Sequence, residues 1–102
     1  MPRPKFITEK DILRWSDNID TDPTFPKALA SVPIIKEVCF AGLYLAEQLE
    51  KINCPDFLIT RIQDFAGRLS FGRDPWDVSQ EVLEKYKNNE LLFEEDADAI
   101  KN

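Results

Sequence analysis

The stretch from Pro33 to Ile52, PIIKEVCFAGLYLAEQLEKI, constrains this chain more than any other. Ile34, Ile35, Val38, Cys39, Phe40, Leu43, Tyr44 and Leu45 make its first half apolar nearly all round, and Leu49 and Ile52 prolong one stripe beyond it. A helix that is oily on every side has to be surrounded by other elements. The spacing therefore predicts a central helix over 33–52, with Glu47, Gln48, Glu50 and Lys51 turned to water near its end. Val38–Ala46, nine uncharged residues, is the longest such interior run and is far short of the ~20 needed to span a bilayer.

What surrounds that helix is readable from caps and periodicity. Thr8 can cap a helix over 9–19, and Asp11, three residues on, completes a capping-box pattern. Ile12, Trp15 and Ile19 give it one apolar stripe with Leu13 beside it. Asp22 before Pro23 favours an extended turn, and 26–31 holds a short helix. Pro55 suits the first turn of a helix over 55–70 that buries Leu58, Ile62, Phe65, Ala66 and Leu69. Gly72 fits the left-handed position just past its end. In FGRDPWDVSQEV, Asp74 is an N-cap, Pro75 takes its preferred first position, and Asp77 lies where the helix dipole favours negative charge. Trp76, Val82, Leu83 and Tyr86 form the buried face of a last helix over 75–88, ending at Asn88–Asn89. Helix initiation accounts for every residue of RDPWD except Arg73.

No run of six alternates β-branched with polar residues, and prolines fall at segment borders, so the fold class is all-α: a compact bundle of four main helices. Its 102 residues make one domain, residues 1–89, able to remove roughly 60–65% of its surface from water. Residues 90–102, ELLFEEDADAIKN, form an acidic C-terminal extension, expected to be disordered from Glu94 onward. Residues 1–87 carry 14 acids against 12 bases, whereas 88–102 carry five acids against one lysine. The extension supplies most of the net charge of −6.

That balance points away from nucleic acid and anionic membranes, which attract basic surfaces. The absence of histidine removes Ser-His and Cys-His nucleophile pairs and His-ligated metals. Single glycines in AGR and FGR do not make a phosphate loop. Asn18, Asp20 and Asp22 alternate like calcium ligands, but Pro23 stands where that loop needs glycine and Leu29 where it needs glutamate, so an acidic turn is expected. Carboxylates such as Glu47/Glu50 and Glu81/Glu84 read as solvated surface. No catalytic, cofactor-binding or metal-ligating residues are expected. Cys39 and Cys54 read as a reduced intracellular pair, Cys39 buried and inert, Cys54 near a helix start where exposure would lower its pKa. MPRPKFITEKD lacks the apolar core of a secretory signal, so a cytoplasmic location is expected.

Three function classes follow. The leading one is a non-catalytic interaction or regulatory module that binds a protein partner or itself, as in a homodimer. Leu91, Leu92 and Phe93 are its candidate partner-binding residues, inserted into a basic groove. A surplus of aromatics favours this reading, because Tyr and Trp often anchor interfaces. The second is an anion or nucleic-acid binder using Arg61, Arg68 and Arg73, with Asp64 between the first two as the competing salt-bridge ladder. The third is a histidine-free enzyme using a buried carboxylate.

Overall fold

Each helix starts and stops where its local chemistry says it should. A computed structural model describes residues 3–90 of the chain, Ala30 by its backbone alone. Helix α1 (Glu9–Thr21) begins at Thr8, whose hydroxyl accepts from the Asp11 N–H while the Asp11 carboxylate accepts from the Thr8 N–H at 3.0 Å. That reciprocal pair is the capping box. The helix runs two residues past the expected end, with the Thr21 hydroxyl bonding back to the Asp17 carbonyl at 2.9 Å, and stops at extended Asp22. Asp22 then accepts from both the N–H and the hydroxyl of Thr24, an ordinary acidic turn.

Helix α2 (Lys27–Ala30) is a single turn leading to α3 (Pro33–Lys51). The bend after α3 places Asn53 at φ 63°, a left-handed conformation that asparagine tolerates better than most residues, and the Cys54 N–H returns to the Leu49 carbonyl. Helix α4 (Asp56–Leu69) starts one residue later than expected: Pro55 is its extended N-cap, and the Pro55 carbonyl accepts from the Leu58 and Ile59 N–H groups. Gly72 has φ 82°, and α5 (Pro75–Lys87) begins with Asp74 accepting from the Trp76 N–H at 3.0 Å. It ends in a Schellman arrangement. Asn89 is left-handed, its N–H reaching Tyr86, and the Glu90 N–H reaches Lys85.

The described residues contain these five helices and no strand, and none of the helices is long and apolar enough to cross a membrane. Helix α3 is central as expected, touching α1, α2, α4 and α5. It contributes to two separate clusters of buried side chains. One is aliphatic: Leu45 and Leu49 meet Leu58, Ile59, Ile62 and Ala66 of α4 and Val78, Val82 and Leu83 of α5. The other is aromatic: Phe40 and Ala41 meet Trp15 and Ile19 of α1 and Trp76 of α5. Both indoles are 1% exposed, and their rings lie 6.1 Å apart with Tyr44 edge-on to each. Leu91, Leu92 and Phe93, and the expected disorder beyond Glu94, lie outside the described residues.

Candidate functional site

The aromatic cluster corrects one sequence expectation. A buried indole N–H must find an acceptor, since leaving it unpaired costs about 1–3 kcal/mol. Trp15 Nε1 donates to Glu47 at 2.9 Å, and Arg14 closes on the same carboxylate with Nε at 3.1 Å and Nη2 at 2.8 Å. Trp76 Nε1 donates to Glu37 at 2.8 Å, and Arg3 pairs with that carboxylate through Nε and Nη2. Glu47 is thus not a water-facing residue of the amphipathic end of α3 but a half-buried acceptor. Burial alone would raise its pKa, but the hydrogen bonds from Arg14 and Trp15 outweigh it and hold the carboxyl below its ordinary value. Each arrangement is filled by its own partners and leaves no open position for a substrate, so both are structural.

Open space lies elsewhere, along the seam of α3 and α4. The two helices are antiparallel neighbours, pinned at mid-length where Gln63 Nε2 donates to the Gly42 carbonyl at 3.0 Å. On the adjacent side the Ser79 hydroxyl reaches the Ala41 carbonyl at 3.1 Å. Around this clamp, from Thr60 of α4 to the start of α3 and the end of α4, the seam opens into a trough of about 970 Å³. Its apolar wall is Ile34, Ile35, Val38 and Cys39, and Thr60, Asp64, Gly67 and Arg68 face them from α4. Phe71 and Arg73 close its end. A smaller hollow of about 330 Å³, toward α1, shares Val38, Cys39, Gln63, Gly67 and Ser70 with it.

Two features set the trough apart from ordinary surface. Its apolar ends are uncovered: Ile34 is 53% exposed and Phe71 is 87% exposed. Helix-interior glycines line this trough and the hollow beside it. Gly67 lines both hollows and Gly42 the smaller one, and a Cβ added at either would meet nothing within 4 Å. Glycine in a helix interior costs about 1 kcal/mol relative to alanine. Internal packing therefore gives no reason for glycine at either place.

The predicted residues fall around this trough unevenly. Arg68 and Arg73 stand on its rim, whereas Arg61, one heptad before Arg68, is not part of the lining. Arg68 pairs with Asp64 at 2.8 Å, both well exposed, which is the ladder weighed against an anion site. Arg73 pairs with Glu81, whose carboxyl that contact and Lys85 keep below its ordinary pKa. The buried polar residues among those described are Ser70 and Ser79, neither of them a carboxylate of the kind a histidine-free enzyme needs. Groups of three or more cysteine or acidic residues able to hold a metal ion do not occur among the described residues.

Of the two cysteines, Cys39 departs from its expected burial, and Cys54 does not meet the exposure that would lower its pKa. Cys54 is buried, with burial raising its pKa, although the Tyr86 hydroxyl beside the sulfur opposes the shift. The same contact with the Cys54 sulfur pushes Tyr86 up to about 12. Cys39, expected to be enclosed, is half-buried and lines the trough. Helical periodicity marked Cys39 as apolar-faced but carried no sign that it would be only half-buried. The one available signal was the pair of helix-interior glycines. No protein-family profile matches this chain, nor is it similar to any curated protein or solved structure.

Proposed function

We propose that this protein is a non-catalytic interaction module whose α3–α4 trough receives a short apolar segment of a protein partner. The observation that carries the reading is the trough itself, with exposed Ile34 and Phe71 at its ends and the unforced glycine Gly67 in its helical wall. Apolar side chains left in water forgo roughly 25 cal/mol per Å² that covering them would return. Helix-in-groove and extended-peptide recognition both use surfaces of this kind, with arginines at the edge to orient an acidic ligand. Leu91, Leu92 and Phe93, followed by four acids, are a segment of the same chemistry and serve as the module's own binding element. The free thiols Cys39 and Cys54 support a reducing, cytoplasmic setting.

Gly67 gives the test. Gly67→Ala should stabilise the protein by about 1 kcal/mol, since the methyl group meets open space and alanine favours helix. Gly67→Leu should keep the helical circular-dichroism spectrum while filling the trough. Proteins retained from a cell extract by the immobilised parent chain should then be lost on Gly67→Leu and kept on Leu13→Ser, which alters an exposed apolar residue of α1. An identical set on all three would remove the trough from the function.

A further inference from the structure

Resting on that reading, we propose that the trough is filled by Leu91–Phe93 and the acids after them from a second copy of this chain, so that two copies exchange their C-terminal segments. Three observations lead there. The first is chemical fit. The trough offers an apolar wall flanked by Arg68 and Arg73, and its lining carries two arginines against one aspartate in a chain of net charge −6. The segment beyond Glu90 offers two leucines and a phenylalanine followed at once by Glu94, Glu95, Asp96 and Asp98. Apolar anchors leading into acids match an apolar wall leading to arginines. The rim arginines are available for this, because their present pairs with Asp64 and Glu81 are exposed. Exposed pairs of this kind contribute little and exchange readily.

The second observation is where the chain leaves the fold. The Schellman stop fixes Asn89 and Glu90 at the far end of α5. Helix α5, 13 residues long, spans about 20 Å, and the Phe71–Arg73 end of the trough adjoins its opposite terminus. Phe93 is three residues beyond Glu90 and reaches about 10 Å at full extension. Measured along α5, the anchors therefore fall short of the Phe71–Arg73 end of their own trough by roughly half the way.

The third observation is direction around α4. Leu58, Ile62 and Ala66 form the side of α4 that packs in the aliphatic core with α5 residues, while Thr60, Asp64 and Gly67 form the trough side. At about 100° per residue these two sides are well over 90° apart, so a segment leaving α5 must also pass around α4 to enter. A neighbouring copy, free to approach from outside, has neither restriction. Exchange between two copies is also self-complementary and closes as a twofold dimer.

The test uses purified full-length protein and two variants. Sedimentation across a concentration series should show a dimer that becomes monomeric on deletion of residues 91–102 and, separately, in Gly67→Leu. Mixing these two monomeric variants should restore a dimer, since the deletion keeps an open trough and Gly67→Leu keeps the segment. A synthetic peptide of residues 89–102 should bind the deleted protein and slow the reaction of Cys39 with a thiol reagent by about tenfold, an effect that weakens as salt screens the arginines. A monomeric parent chain, a deleted chain that still dimerises, or a peptide that leaves Cys39 unprotected would each overturn the exchange. If instead the parent stays monomeric while Gly67→Leu still loses proteins retained from an extract, the exchange is wrong and the trough's role as a docking site stands.

Discussion

The aliphatic and aromatic halves of the core do the same work by different physics. Where α3, α4 and α5 meet, Leu45, Leu49, Ile62, Val78 and Val82 need only shape and exclusion of water. Where α1, α3 and Trp76 meet, two indoles bring equal bulk but also a polar atom each, and the fold must supply an acceptor inside a nearly closed space. Glu37 and Glu47 do so at the cost of partial burial of two carboxylates, which Arg3 and Arg14 offset. In the acid range the aromatic half therefore has a titrating carboxylate, Glu47, that the aliphatic half lacks.

The largest effects should come from emptying either half. Trp76→Ala is expected to cost about 3–5 kcal/mol and Leu49→Ala about 2–5 kcal/mol, read by chemical denaturation, with the tryptophan variant also freeing Glu37 from its indole partner. A milder pair separates packing from hydrogen bonding. Trp15→Phe keeps a ring and removes the N–H to Glu47, so about 1–3 kcal/mol should be lost, whereas Ile62→Val, a purely aliphatic trim, should cost about 0.5–1.5 kcal/mol. If Trp15→Phe proves as mild as a methylene deletion, the indole–carboxylate bond contributes nothing beyond satisfying itself.

Acid should distinguish the halves next. Glu47 has a folded pKa below its ordinary value of 4.5, so its contribution is complete above the unfolded value and fades as pH falls through the folded one. The melting temperature of the parent chain should therefore drop from about pH 6 to about pH 3 more steeply than that of Glu47→Gln, which keeps an oxygen for Trp15 but cannot titrate. Equal slopes would assign the acid sensitivity to other carboxylates such as Asp11 and Asp22, whose pKa values hydrogen bonding also lowers. The smallest effect belongs to neither half. Removing Arg68, with its partner Asp64 on the exposed side of α4, should change stability by roughly 0–1 kcal/mol.

The same contrast explains what could be read from the sequence. The helices and their ends were legible because each is decided within four residues: Thr8 with Asp11, Asp74 with Trp76, left-handed Gly72. The aliphatic stripe of α4 was legible because periodicity alone defines it. The partners of Trp15 and Trp76 were not, since Glu47 and Glu37 lie 32 and 39 residues away and look like ordinary surface acids in their own helix. The trough was hidden for a related reason. Ile34, Val38 and Cys39 belong to an apolar run that predicts enclosure, and only the arrangement of α4 in space leaves them partly uncovered.

One consequence of α3 reaching into both clusters concerns how the protein comes apart. Leu45 and Leu49 anchor one cluster and Phe40 and Ala41 the other, along a single unbroken helix. Neither cluster can melt without withdrawing its share of that common rod from the other. Heating should thus produce one cooperative transition, with the tryptophan signal and the helical signal vanishing at the same temperature.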